Sequence, residues 1–448
     1  MQRIQRTVDT IRHELWPLPV LGIALGVIIG LALPATDTLL PQAREAFASW
    51  AFGGSPAAAR SILTTIAGSV VTVTTLTFSM TLVTLQLAAS QYSPRLLRTF
   101  TGDSIVHATL AVFLGTFAYC LTVLPAVRDA TEENGGFVPG MSVSFAYLLA
   151  IAVVVLLVVF LTHLTRIIRV ESIVDDVAAE ARDALRRAYR NTRPGRPSVG
   201  TNPAVSIPAF ASGFVRDVDV DPLLDLATRR DWTIALTVSA GDFVTMHETV
   251  ATVRHASSGQ RLSAEEAAEA ATCLNSAVVT GTERTTVKDP RFPLQQMVDM
   301  STRALSPGVN DPTTSMHCLN YLGAVLTHVA TMDIRDTVEL DSSGTLRVLL
   351  PQPSFTDLAT LILREALTFG REQYVIVERA FSLLREAALC DTAGRYSQEI
   401  AALVEDFATL IPLETFSPRD ADRLRHVIAE AAAAAKTGHS QLATDFGG

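Results

Sequence analysis

Four stretches of the chain, at roughly 18–33, 62–88, 105–125 and 144–161, stay apolar for longer than the three-to-four-residue rhythm of a surface helix allows. At 1.5 Å rise, about 20 residues cross a hydrocarbon core of about 30 Å, so each stretch is predicted to be a membrane span. The first is the shortest and runs on toward Leu40, while the fourth contains the unbroken FAYLLAIAVVVLLVVFL. Because the first stretch follows Arg3, Arg6 and Arg12, a cleaved leader competes with a retained span there, and the other three spans follow either way. Gly22, Gly26 and Gly30 recur at spacing four and share one helix face, a pattern that lets helices approach closely in lipid.

After Leu161 the pattern becomes amphipathic. Ile167, Val170, Val174, Val177, Ala181, Ala184 and Ala188 recur at spacings of three and four, an a/d seam that packs against a neighbour in the same chain or against the same helix of another subunit. Residues 191–208 hold Pro194, Pro197, Pro203 and Pro208 and read as a linker. From 209 to 258 the alternation of TIALTV and a Gly241-Asp242 turn predict strands. Helices are predicted at 264–280, 294–305, 313–330, 355–370, 372–388, 398–410 and 418–435, interrupted by a hairpin in VELDSSGTLRVLL. The resulting fold class is a membrane α-helical unit of four transmembrane helices plus a cytoplasmic α+β part, in which a small β-barrel or sandwich-like unit precedes a mainly helical domain. The predicted divisions are a transmembrane domain at 1–165, a stalk helix at 166–190, the linker at 191–208, a β-rich subdomain at 209–258, a helical domain at 259–436 and a frayed tail at 437–448.

Charge then orients the spans. Arg3, Arg6 and Arg12 precede the first, Arg95 and Arg98 separate the second from the third, and Arg166, Arg169, Arg182, Arg186 and Arg187 follow the fourth, so both termini are predicted to be cytoplasmic. The 48% apolar fraction fits residues concentrated in spans, and a net charge of −9 argues against nucleic acid as a partner. Cys120, Cys273, Cys318 and Cys390 are scattered with no metal or redox spacing.

The second span carries the candidate chemistry. Thr72, Thr75, Ser79, Gln86 and Ser90 fall on one helical stripe, and Thr74, Thr77, Thr81 and Thr84 fall on another. Such hydroxyls either bond their own i−4 carbonyls and pack inside a bundle, or line a water-filled path in place of ion hydration. The same alternatives hold for Arg95 and Arg98 beyond Pro94, which are either anchors for anionic lipid or a positive ring at the inner mouth of an oligomeric pore. No Asp or Glu lies within the four apolar stretches, which argues against proton-coupled transport and cation pumping.

In the soluble part, Arg284, Asp289, Asp299, Arg303, Asn310 and Asp311 cluster in sequence around the tight loop SPGVNDP, either as a buried polar network or as a ligand site. The phrase GDFVTMHETVATV resembles the turns of a biotinyl/lipoyl-type barrel-sandwich domain, but no lysine stands at the turn, so no covalent cofactor is expected. His247, Glu248 and His255 match no common metal-site spacing. No catalytic motif is present, and the chain is expected to be neither an enzyme nor a holder of metal or cofactor.

Three segments, TLTFSMTLVTLQLAASQYSPRLLRTF, QQMVDMSTRALSPGVNDPTTS and LRVLLPQPSFTDL, in that order, resemble a bacterial family of predicted membrane proteins known as domain of unknown function 2254. The resemblance covers nearly the whole chain and implies an inner (plasma) membrane location, with no assigned activity and no catalytic residues. The functional expectation is an oligomeric channel-like protein whose partners are the bilayer, further copies of itself, and ions or a small ligand. The alternative is a membrane-anchored sensor or scaffold.

Overall fold

The structure, a computed structural model, describes residues 16–39, 52–91, 103–129, 137–167, 170–189, 202–284 and 288–437. The chain falls into two compact units, Met1–Ser172 and Ile173–Gly448.

Among the described residues of the first unit, four helices are long and apolar enough to cross a membrane: α1 (Pro17–Leu39), α2 (Pro56–Gln91), α3 (Ser104–Val123) and α4 (Gly140–Ile167). Helix is the expected state here because a lipid-facing backbone must satisfy every N–H and C=O within its own segment. Local signals set the ends. Ser55 Oγ accepts from the Ala58 N–H at 3.3 Å just before Pro56 opens α2, and Asp103 Oδ1 accepts from Ile105 and Val106 to cap α3.

Helix α3 is central, packing on all three of the others. Its contact with α1 is backbone to backbone. A Cβ on Gly22 would overlap the Ala111 carbonyl, one on Gly26 would overlap the Gly115 carbonyl, and Gly30 packs on Thr122. The spacing-four glycines thus allow the approach that the sequence pattern implied. Three apolar clusters run along the bundle: Leu63, Ala67, Tyr119, Val123 and Ala146; then Val70, Phe113 and Val153; then Val106, Leu110 and Phe160. The outward faces carry large apolar side chains such as Leu21, Ile28, Leu148, Val154 and Val158, as lipid contact requires.

The second unit is mixed. The amphipathic helix α5 (Val170–Ala188) buries Val174, Val177, Ala181 and Ala184, together with Ile173, Ala178 and Leu185, against its own chain. The seam from Val174 to Ala184 is therefore satisfied within the chain. Beyond it, Tyr189 donates its hydroxyl to the Pro353 carbonyl at 2.5 Å.

A five-stranded sheet has the order β1 (Val205–Pro208), β5 (Thr249–His255), β3 (Trp232–Leu236), β8 (Leu346–Leu350), β7 (Thr337–Leu340). A second sheet has the order β4 (Phe243–Val244), β2 (Gly213–Val218), β6 (Val278–Gly281). Two short helices pack on these strands, α6 (Val220–Arg230) and α7 (Ala264–Ala277). Fully buried Trp232, Ile234, Val253 and Leu223 share one core.

Three details depart from sequence expectation. The helix predicted at 264–280 stops at Ala277, because the β-branched run from Val278 pairs antiparallel with β2. Strand β1 lies inside the expected linker, where Val205 and Ile207 alternate toward the core. The hairpin at 337–350 joins the sheet through a parallel pairing of β8 with β3, Ile234 opposite Val348.

The helical remainder is α8 (Arg291–Ala304), α9 (Pro312–Thr331), α10 (Phe355–Gly370), α11 (Tyr374–Cys390), α12 (Ser397–Ala408) and α13 (Pro418–Thr437). Their core includes Leu319, Leu322, Ile362, Leu363, Phe381, Leu384 and Phe407, all fully buried.

Candidate functional site

Helix α2 is rich in threonine, a residue that soluble helices disfavour because its χ1 is restricted. In lipid the hydroxyl needs a partner, and it finds one along the helix. Thr72, Thr74, Thr75, Thr77, Thr81 and Thr84 each donate to the carbonyl four residues back, at 2.6–3.0 Å. The two stripes then part company. Thr77, Thr81 and Thr84 are 1%, 8% and 6% exposed, with Thr74 half-buried beside them, so this stripe faces the bundle interior. Thr72, Thr75, Ser79 and Gln86 are exposed. At about 100° per residue the second set lies nearly opposite the first, within a sector of about 60°.

Gly68 belongs to the outward line, and no atom lies within 4 Å of where its Cβ would be. Large exposed side chains, Leu76 and Val83 on one side and Phe78 and Leu82 on the other, flank this polar line. Neither Ser79 nor Gln86 has a side-chain hydrogen bond among the described residues. The side chain of Ser90, and Arg95 and Arg98 entirely, lie outside the described residues.

A second polar group in the bundle was not anticipated from sequence. Asp103 Oδ1 accepts the backbone N–H groups of Ile105 at 2.8 Å and Val106 at 3.3 Å, and its Oδ2 meets His163 Nε2 from α4 at 2.6 Å. One turn along α3, His107 is 2% exposed and its Nε2 has no partner among the described residues. Asp103 lies just before the third apolar stretch, outside the pattern that marks a span. The signal available was an Asp immediately before a span, joined by histidines in two of the spans.

The polar set around the SPGVNDP loop proves to be two features. Arg284 grips the fully buried Asp289 through Nε at 2.8 Å and a terminal nitrogen at 2.6 Å. Arg291 sits at the same place, donating to Asp242, Ser239 Oγ and the Ala240 carbonyl around the turn after β3. Gly241 has φ +93°, and a Cβ there would strike the Asp289 carboxylate. Burial pushes the Asp289 carboxyl up from its ordinary value against the pull of both arginines.

The loop itself is separate. Asn310 takes a left-handed φ of 46°, and its Oδ1 accepts from Gln373 Nε2 at 3.2 Å. Asp311 caps α9, accepting from the Thr313 and Thr314 N–H groups and from the Thr314 hydroxyl at 2.6 Å. That hydroxyl bond, followed by the backbone bonds, holds the Asp311 carboxyl below its ordinary value. Beneath the loop, Ser301 and Ser315, both fully buried, join α8 to α9 through a 2.7 Å bond. Asp299 accepts from Gln295 on its own helix at 2.8 Å, and Arg303 has no ion-pair partner among the described residues.

Elsewhere, Glu248 accepts from Thr245, and His255 lies 3.7 Å from Glu266, so His247, Glu248 and His255 do not converge. Among the described residues no group of three or more His, Cys, Asp or Glu is placed to hold a metal ion. The four cysteines are free thiols, and burial pushes the Cys318 thiol up to about 12, which leaves it unreactive at neutral pH.

The chain is similar over most of its length to other proteins. A family model described as predicted membrane protein (DUF2254) matches residues 12–386. An uncharacterized protein of Mycobacterium bovis and another of Mycobacterium tuberculosis are each 30% identical over 394 residues, which is 87% of this chain and 74% of theirs. No solved structure gives a significant match.

Proposed function

The chain belongs to the DUF2254 family of predicted membrane proteins, and from that premise we propose that it is an oligomeric, channel-like protein whose second span lines the path. One observation carries the reading: Thr72, Thr75, Ser79 and Gln86 face outward from the chain along one line, and the exposed amide of Gln86 has no partner among the described residues. A neutral amide facing hydrocarbon is costly, so this face belongs against water or against further copies of the chain. A ring of such helices places both around a central path.

Thr72 and Thr75 donate their hydrogens to their own helix and leave their oxygen lone pairs outward, so the path is neutral and hydroxyl-lined. Arg95 and Arg98 are the candidate positive ring at the inner mouth, and the soluble unit assembles or gates the path. The protein acts without catalysis, from the bacterial inner membrane, with both termini in the cytoplasm.

Ion flux through liposomes holding the full chain tests this. We expect flux that falls at least tenfold when Thr72, Thr75 and Ser79 are replaced together by valine, with the oligomer intact. Absence of flux across salts, voltages and osmotic shock, or a monomer in the bilayer, overturns the reading.

A sensor or scaffold is the second reading, favoured by the loop at 306–310. There Val309 is 56% exposed, and Phe369 on the adjoining α10 is 60% exposed. A stoichiometric partner in native membranes that is lost on Val309→Asp, in cells where the valine triple variant behaves as wild type, decides for it.

A further inference from the structure

On the soluble unit, six large apolar side chains stand exposed among the described residues: Phe210, Phe243, Met246, Val309, Phe369 and Val375. The last three lie at and beside the 306–310 loop. The first three belong to one tip of the β-rich part. Phe243 opens β4, and its ring meets Phe214 of β2 edge to face with 5.0 Å between centroids. Beyond these strands the segments 209–213 and 245–248 run together. The Ala209 N–H donates to the Glu248 carbonyl at 2.7 Å, the His247 N–H donates to the Ala209 carbonyl at 3.0 Å, and the Met246 N–H donates to Ser212 Oγ at 2.8 Å. His247 holds a left-handed φ of 72° within this turn. The tip is thus held in shape by its own bonds while keeping three large apolar side chains about half exposed, a costly display unless something covers them.

Its bonding and its tether say what the cover is. Each backbone N–H from Thr245 to Glu248 is bonded within the tip, since Thr245 donates to the Glu248 carboxylate at 2.9 Å and Glu248 donates to the Thr245 carbonyl at 3.0 Å. A hydrocarbon boundary imposes that condition, whereas a strand partner needs free backbone groups. Glu248 is the one acidic residue on the two segments, and its carboxylate also accepts from the Thr245 hydroxyl. The stem of Arg216 lies over Gly281, the register partner of Phe214, and Arg216 is exposed, a cation suited to lipid phosphate. The crevice beside Phe210, lined by Val250, Leu274 and Val278, measures about 30 Å³, room for a water and too little for a lipid tail. Finally, only residues 168 and 169 separate α4 from α5, so the soluble unit stays on a short leash to the bilayer. Tethering of this kind makes a contact sufficient that would be too weak to hold a free protein.

We infer that this tip inserts Phe210, Phe243 and Met246 at the boundary between headgroups and acyl chains of the bilayer that holds the chain's own spans. The partner is a lipid surface, entered by side chains from a rigid turn, and no lipid is drawn out of it.

The test places the full-length wild-type protein in nanodiscs of phosphatidylcholine and phosphatidylglycerol that include a phospholipid with a diazirine high on its acyl chain. After irradiation, lipid adducts are mapped by mass spectrometry, those on the four spans showing that the reagent works. Adducts are also expected in 209–214 and 243–248, about fivefold more often than at 306–310 and 369–375, where apolar side chains are equally exposed. Replacing Phe210 and Met246 together by serine is expected to lower the tip adducts about fivefold, with the span adducts and the melting temperature unchanged. Labelled spans with an unlabelled tip overturn the inference. So do adducts as frequent at Phe369 as at the tip, which would reflect chance collision, and crosslinking of the tip to a second copy in place of lipid. None of these results involves a flux measurement, so they stand or fall apart from the channel reading.

Discussion

Replacing Gly26 with leucine places a side chain where the Gly115 carbonyl oxygen lies, and neither backbone can yield without separating α1 from α3. Overpacking ordinarily costs about 1–3 kcal/mol, and a clash with main chain sits at or beyond the upper end. Gly26→Leu is therefore expected to give aggregated or sharply less heat-stable protein in detergent. Gly68→Ala, which has open space around it, should melt as wild type does. In the soluble unit, Asp311→Ala removes the cap of α9 and is expected to lower stability by about 1 kcal/mol in a denaturant melt. Asn310→Val should add about 1–2 kcal/mol of strain at its left-handed φ, and Asn310→Gly should relieve it. Asp341 accepts from the Ser343 hydroxyl, the Thr345 N–H and Arg347, which together hold its carboxyl far below the usual range. The stabilisation from such a depressed carboxylate is whole above the unfolded-state value of about 3.9 and is lost as the pH falls from there through the folded-state value. Asp341→Asn should thus unfold at a higher pH than wild type during acid titration followed by circular dichroism. Of these residues, the glycines and the Asp-Pro cap were legible from spacing and position. The Arg284–Asp289 grip on the turn at Gly241 was not, because more than forty positions of chain separate them.

At the scale of single elements, periodicity located the helices well and their neighbours poorly. The seam of α5 was plain from its spacing, yet the pattern fits a second subunit as readily as the same chain. The buried face of α5 resolves the ambiguity, and Tyr189 at its end ties it to the segment before α10. Tyr189→Phe is expected to cost about 1 kcal/mol in a urea melt, the usual net worth of one hydrogen bond. Helix α2 shows the same limit. Spacing divided its polar side chains into two stripes, but both are hydroxyl-rich, and only packing against α3 and α4 tells inside from outside. Strand β8 is a third example, since its parallel pairing with β3 joins positions that no local pattern connects.

For the whole molecule, the division into spans and a soluble part was legible because lipid and water impose different patterns on a sequence. The two sheets were less so, because their strands are short and are drawn from 205 to 350. Each unit has its own apolar clusters, so residues 170–437 expressed without the spans are expected to give soluble protein with a cooperative thermal transition. Gradual melting or wholly insoluble protein would count against that independence. Function was legible only as far as the membrane setting, because one chain's sequence does not record what its outward faces meet.

The glycine contact between α1 and α3 also bears on how the protein is made. The first helix emerges from the ribosome well before its partner, with α2 and the intervening chain synthesised between them. Its bare glycine face must wait in the bilayer, held by lipid or by the insertion machinery, until the third helix arrives. A ribosome stalled before residue 104 should therefore leave the first helix open to photo-crosslinking from Ile29, beside the glycine face, and release of the full chain should close it.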